Sequence, residues 1–582
     1  MPSHSNLHNN SANASISSSE FRNLAIHNDA EEAVWLGWNN QYEEAQRILS
    51  RKKDTHPRCA LEWANIMLVK SLMTSTNEDR VVLLELFKAA DHLATSMKYS
   101  EPLPSDDDSE DGGPASGQPS HSKVNSKISY AKQKKLYHAK KKEALHNGET
   151  SANIWKLECD VIYAEALLMR GICQLMMNSY LKGGINLRKA WGCYHSLIHK
   201  MEEDKEGKIP KELRMCIKYG AGTFYSFLAL VPANLMKLLS LIGFVSDKDV
   251  GEQYLTEVFE SNTIRSPFAG LVLCTLYLFL PTGLGDVEAT LSRANKILES
   301  MNVRCPNNTY FYGYANFYYR KRGDVDTAMS SISLALNNSM SVGVTPLLIK
   351  YVYADTLFMH QKWDEALDQY LALLDHIHKT KESFAYTGQV ALSIAACYVM
   401  IGKHEDGMSW MRKVNGMHNP KSKNDVNSPK FALRVIANPR LLPFSGVYML
   451  YINRDLAHMH REQGERVLSE LKRVLEGKDI TGAEAENMYN LFVGVIEKGC
   501  KNTEVALKYF QKIFDVEKHI PKDSMILPFT YYEAAEVRYR MGDLSEAKHL
   551  FDKGHKIKGD GNETLSNRYR IAMKQLKHAM SG

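Results

Sequence analysis

The chain has 582 residues, of which 44% are hydrophobic and 24% charged, the composition of an ordinary soluble globular protein rather than a fibrous or low-complexity one. Its formal net charge of +5 is too small on this length to argue for nucleic acid or an anionic membrane surface as partner. The nine cysteines form no CxxC pair and are odd in number, which argues against a disulfide frame and reads as reduced, buried thiols of a cytoplasmic protein.

Along the chain, residues 1–20 are rich in Ser, Asn and His without an apolar core, and are expected to be a disordered tail with no signal peptide. Residues 21–98 are expected to form helical hairpins. Residues 99–147 read as a disordered insertion, because Pro, Ser, Gly and Asp leave almost nothing to bury. The insertion opens acidic (Asp106, Asp107, Asp108, Glu110, Asp111) and continues into a basic run from Lys132 to Lys142. Ser105 precedes three aspartates, as acidophilic kinases prefer, although a solvated loop is the plainer reading. Residues 148–300 are expected to be a central helical region, with three-and-four apolar spacing over 161–175. Two apolar stretches lie there. Residues 225–245 are interrupted by Pro232, Asn234 and Lys237, and residues 268–280 are uninterrupted but short. A spanning helix needs about 20 apolar residues, so neither predicts a transmembrane segment, and 268–280 reads as a core helix. Residues 301–582 are expected to be C-terminal repeats, with helical spacing again at 349–359 and 530–541.

The repeats carry the fold prediction. Small residues stand at Ala45, Gly183, Ala328, Ala366, Gly407, Ala506 and Ala547. Twelve positions upstream of each lie Ala33, Gly171, Asn316, Ala354, Ala395, Gly494 and Ala535. Four positions downstream lie Leu49, Leu187, Ile332, Tyr370, Met411, Phe510 and Phe551. Two antiparallel helices approach closely only where both present small side chains, and a large residue one turn along the second helix fills the space toward the next hairpin. Five before the anchors, Asn40, Asn178, Gly323, Gly402 and Gly542 mark turns, since Asn and Gly tolerate the left-handed backbone that ends a helix. Pro57 is placed to close the first unit. The pattern looks like the tetratricopeptide repeat, although anchors at 328, 366 and 407 are more widely spaced than the usual 34 residues. The expected fold is therefore all-α, with tetratricopeptide-type hairpins stacked into an irregular superhelical solenoid.

Two segments go beyond the generic repeat: Tyr180 to Trp191 (YLKGGINLRKAW) and Tyr219 to Gly251, a Pro-centred apolar stretch ending in Gly243-Phe244. With the order of hairpin, charged insertion and C-terminal repeats, they resemble the tetratricopeptide repeat protein 39 family and its fungal relatives, the inclusion-body clearance proteins. The signature residues are Lys182, Gly183, Gly184, Arg188, Trp191, Pro232, Gly243 and Phe244. Gly183 and Gly184 are expected to allow close helix contact, Pro232 to kink an apolar helix, and Gly243 to end it. The resemblance implies a non-enzymatic intracellular protein, with roles in the family spanning lipid regulation, cilium assembly and aggregate clearance with lipid-droplet involvement.

No phosphate-cradling, zinc or paired-cysteine motif is present, so catalytic, cofactor and metal residues are expected to be none. His458 and His460 are two apart, which on a helix points them away from each other, and they read as solvent-facing. The 29 Tyr and 25 Met read as core filler. The function expected is a scaffold or adaptor that binds other proteins in a helical-repeat groove. The alternative is peripheral membrane or lipid-droplet contact through residues 225–280 and the Lys132–Lys142 run.

Overall fold

The computed structural model describes residues 18–74, 77–99, 150–177, 179–228, 247–280, 284–285, 287–343, 346–418, 425–559 and 562–581. Most of the N-terminal tail, the acidic and basic insertion, Asn178, Pro232, Gly243 and Phe244 lie outside the described residues. A helix, Ser18–Trp38, begins inside the stretch read as tail.

Among the described residues every regular element is helical. The chain divides into two compact units, residues 1–69 with 80–266, and residues 70–79 with 267–582. The boundary drawn at residue 300 from sequence lies inside the Val287–Arg304 helix. In the first unit, Ser18–Trp38 pairs with Tyr42–Ser50, Thr150–Met176 with Tyr180–Glu203, and Lys211–Leu228 with Lys248–Glu260. In the second, successive hairpins are Tyr310–Arg322 with Val325–Ser341, Leu347–Met359 with Trp363–Thr380, and Thr387–Met400 with His404–Met417. After the helices Asn427–Ala437, Ser445–Ile452 and Arg461–Leu475 come two more, Ala483–Gly499 with Thr503–Asp515 and Ile526–Arg540 with Leu544–Gly554, and then Asn562–Ser581. The fold is all-α and of tetratricopeptide type.

One local device closes the seven hairpins that carry a repeat anchor. In each, the amide four before the anchor donates to the carbonyl nine before it: Gln41 to Leu36, Ser179 to Gln174, Asp324 to Tyr319, Lys362 to Leu357, Lys403 to Tyr398, Asn502 to Glu497 and Asp543 to Arg538. This is the six-to-one bond of a Schellman ending, which needs a left-handed residue before the donor. Asn40, Gly323, Gly402 and Gly542 supply it, with φ of 62°, 71°, 86° and 84°. Gln361 and Lys501 hold the same position at 61° and 66°. Their side chains make this conformation costly by about 1–2 kcal/mol, so composition gave no hint of a turn there. Pro57 opens the next helix, Pro57–Thr74, rather than closing the first unit, since a first-turn position needs no amide hydrogen.

The small residues and their large companions are all buried. At the Gly171–Gly183 crossing, a Cβ on Gly171 would lie 2.8 Å from Leu187 Cδ2 and 3.3 Å from the Gly183 carbonyl oxygen. Gly184 makes no such contact, because a Cβ there would meet open space; Gly183 alone sets the approach. Lys182 and Arg188 are exposed, and Trp191 stacks on Phe224 at 5.0 Å. Asn316, the one upstream residue that is not small, donates to the carbonyl of its own anchor Ala328 at 3.0 Å and to Thr356 Oγ1 at 2.9 Å. Its amide bonds across the crossing where a small residue would only pack.

The stretch at 268–280 forms the short Ser266–Leu278 helix with Phe268, Ala269, Leu273 and Cys274 in the core. No described helix is long and apolar enough to cross a membrane.

Candidate functional site

Each unit buries a group of ionised side chains. In the first, Arg58 and Glu62 come from the Pro57–Thr74 helix and Glu158 and Glu165 from Thr150–Met176, while Arg265 just precedes Ser266–Leu278. Arg265 reaches both oxygens of Glu62, at 2.8 and 2.6 Å, and Glu165 at 3.0 Å. Arg58 holds Glu158 at 3.0 Å and Glu62 at 3.3 Å, and His27 closes on Glu158 at 3.2 Å. Burial works against charge at every carboxyl. The guanidiniums of Arg265 and Arg58 outweigh it at Glu62, which is held below the usual range, whereas burial prevails at Glu165 and pushes it up. This group is sealed, with Arg58, Glu62, Glu165 and Arg265 all almost wholly buried.

The second unit starts in the same way. Arg320, in the last turn of Tyr310–Arg322, pairs with Asp355 at 2.8 Å and with Asp455 at 2.8 Å. Lys498, in the last turn of Ala483–Gly499, pairs with Glu533 and, at 2.9 Å, with Glu536. Arg540 takes Glu536 at 2.6 Å, and Arg568 takes Glu533 at 3.3 Å while lying 4.1 Å over the Tyr532 ring. Burial disfavours the Lys498 ammonium, but Glu533 and Glu536 outweigh it and hold its pKa above the ordinary value.

These pairs form part of the wall of a cavity of about 1120 Å³ inside the second unit. Seven Lys or Arg side chains line it against three acidic ones. Arg322, Lys501 and Arg540 are exposed and lie toward solvent. Three inner groups have acids nearby but no direct ion pair. Lys321, Arg454 and His458 make no side-chain ion pair or hydrogen bond among the described residues, and Arg454 Nε, His458 Nε2 and Arg568 Nε are buried without a partner. Arg454 sits in the left-handed region at φ 67°, ψ 15°, between the Ser445–Ile452 helix and the 3-10 turn Asp455–His458. Burial lowers the Lys321 ammonium to about 7, with repulsion from Arg454 and Arg320 adding to it. Burial likewise lowers Arg454, helped by Arg568, and takes His458 well below its ordinary value, helped by Lys321 and Arg454.

His458 thus corrects the solvent-facing expectation. It ends a 3-10 turn, where α-helical spacing does not apply, and it faces the cavity; His460 is exposed and leads the Arg461–Leu475 helix. Sequence reasoning missed Lys321, Arg454, Lys498 and Arg568. A signal was available for one of them: Lys321 lies seven before its repeat anchor, as does Arg540, so both end the first helix of a hairpin at the same level. Arg454 and Arg568 belong to elements outside the repeat register.

The arrangement is built to hold negative charge. Thiol chemistry has little support: burial pushes Cys59 and Cys216 up to about 12, which keeps them as unreactive thiols. No group of three His, Cys, Asp or Glu placed for a metal occurs among the described residues.

Residues 31–498 match the family model described as Iml2/Tetratricopeptide repeat protein 39. Among solved structures, the chain is similar to the human IFIT1 dimer with PPP-AAAA at 14% identity, covering 86% of this chain and 96% of that one with a TM-score of 0.33. It is similar to yeast Tom70 at 10% identity, 97% of each chain and a TM-score of 0.27. It is also similar to Naa15/Naa10 bound to HypK-THB at 11% identity, 96% and 93% coverage and a TM-score of 0.26.

Proposed function

Because the chain belongs to the Iml2/tetratricopeptide repeat protein 39 family, we propose that it is a non-enzymatic scaffold that holds other proteins on its helical-repeat surface and carries out no reaction of its own. The observation that supports this is an apolar stripe on the Tyr180–Glu203 helix. Its inner face is committed to the hairpin through Gly183, Leu187 and Ala190. Its outer face shows Leu181, 74% exposed, and Ile185, 49% exposed, one helical turn apart. Neighbouring exposed apolar side chains on one helix face are a candidate contact surface. By family resemblance, the setting is lipid regulation or cilium assembly in the cytoplasm.

The alternative, peripheral contact with a membrane or lipid droplet, has less behind it. Phe268 to Cys274 is occupied as core, and Tyr225 packs edge-on against Trp191 at 5.3 Å.

The test is detergent-free isolation of the full chain from cells beside the L181D/I185D double variant. Both side chains are exposed, so the melting temperature should not move. A set of proteins retained at moderate salt by the wild type and depleted about tenfold by the variant is the expected result, the size of a lost contact hot spot. Equal retention by both removes this surface from consideration. Lipid and lipid-droplet coat proteins in place of discrete partners favour the alternative.

A further inference from the structure

We propose that the cavity of the second unit is a binding site for a small soluble polyphosphate, gripped by Arg454, Lys321 and Arg568.

The case starts from charge that has no structural use. A buried cation is tolerated when it is paired, because desolvation otherwise costs several kcal/mol. Arg320 and Lys498 obey that rule. Arg454 and Lys321, half-buried at the cavity wall, have no ion-pair partner; neighbouring cations repel them, and the nearby acids, Asp455 for Lys321 and Glu536 for Arg454, are not paired with them. Arg454 moreover adopts a left-handed backbone that an Arg side chain disfavours. Strain and unpaired charge at one point are costs that folding alone would remove, and a ligand offsets both.

The shape and donor set define the ligand. A volume of about 1120 Å³ lies just above the roughly 300–1,000 Å³ of most small-molecule sites. The surplus of four positive side chains calls for several negative charges. The open donors are a planar guanidinium, an ammonium, the Arg568 Nε–H and an imidazole nitrogen. Together they outnumber what one carboxylate accepts, and they suit tetrahedral oxyanions in series. A peptide would bring backbone amides that need acceptors, and the inner wall offers mainly donors. Part of the wall is apolar, with Leu280, Leu284, Leu291 and Val537, but an acyl chain would leave Lys321 and Arg454 without a counter-charge. The shared chemistry is a polyphosphate, whether borne on a nucleoside or on an inositol ring.

Binding would take up protons. Lys321 faces Arg320, Arg454, Arg568 and Asp455, and His458 faces Lys321, Arg454, Lys498 and Glu536. A polyanion among them favours their charged forms. This site is independent of the protein-binding surface proposed on the first unit.

The experiment is calorimetric titration of the full chain with inorganic tripolyphosphate near pH 7.5 at low salt, in two buffers of different ionisation enthalpy. We expect one saturable site, affinity that falls with salt, and net proton uptake. R454M should weaken binding by about tenfold or more, as loss of a charge-assisted fork does, and K321M should remove most of the proton uptake. Circular dichroism and melting show whether each variant is folded; K321M serves alone if R454M is not. Absence of saturable heat up to millimolar tripolyphosphate overturns the proposal. So does binding that R454M or K321M leaves unchanged, or inorganic phosphate binding as tightly as tripolyphosphate. A short acidic peptide or RNA that binds about tenfold tighter than tripolyphosphate, with the same dependence on Arg454, would replace the small ligand with a macromolecule. A panel of nucleoside triphosphates and inositol hexakisphosphate then separates the two sources of the anion.

Discussion

The two units both bury ionised groups, and they finish the task differently. In the first, Arg58 and Arg265 share Glu62, Glu158 and Glu165, and all five are buried. In the second, Arg320 and Lys498 are satisfied by acids from neighbouring helices, but Lys321, Arg454 and His458 are left over at the wall of a cavity. Partner count and access separate a structural network from a receptive one. The first gives every ionised side chain a paired counter-ion, with one orphan donor at Arg58 Nη2; the second leaves whole cations unpaired.

The largest effect should come from breaking the sealed network. R265M strands Glu165 in a dry interior, leaves Glu62 with Arg58 alone, and should cost about 3–5 kcal/mol, the range for removing one partner of a buried pair. Urea unfolding of the full chain should show the loss as an earlier first transition. The matching change in the second unit, R454M, should leave the urea transitions where they are or move them to higher urea, because no carboxylate loses a partner. A comparable loss in both variants would show that Arg454 is structural after all.

A smaller effect is expected at the hairpin crossing. G171V drives a side chain into Leu187 and the Gly183 carbonyl and should cost about 1–3 kcal/mol by overpacking. G184A, twelve positions from no anchor and facing open space, should be neutral or stabilising by up to about 1 kcal/mol. Thermal melting of the two variants side by side distinguishes a packing requirement from a general intolerance of the Lys-Gly-Gly helix.

The last effect is a slope. The Lys321 ammonium is lowered to about 7 in the folded chain, while the unfolded chain keeps the ordinary lysine value near 10.4. Between those pH values the unfolded state binds more protons, so this residue makes stability rise with pH. Below pH 7 both states are protonated and the contribution is flat. K321M should therefore exceed the wild type in melting temperature at pH 6.5, and the gap should narrow by pH 9. A gap that stays constant would mean that Lys321 is not desolvated.

The chain by itself determined the hairpins. The twelve-residue interval between small residues, the large residue four later and the Asn or Gly five before are local patterns, because one helix–turn–helix crossing involves neighbours in sequence. Gln361 and Lys501 escaped that reading, since the Schellman bond, not residue preference, placed them in the left-handed region. Adjacency to Gly183 suggests a contact for Gly184 as well, but a step of one residue turns a helix by about 100° and carries it off the crossing face. Tertiary structure alone decided which charges meet. Arg320 and Asp455 are 135 positions apart, and Arg265 and Glu62 are 203 apart. Whether Lys321 has a partner depends on what distant helices bring to it, and no local pattern encodes an absence. Periodicity reports what each helix buries; the stacking of helices fixes which cations are answered and which remain available to a ligand.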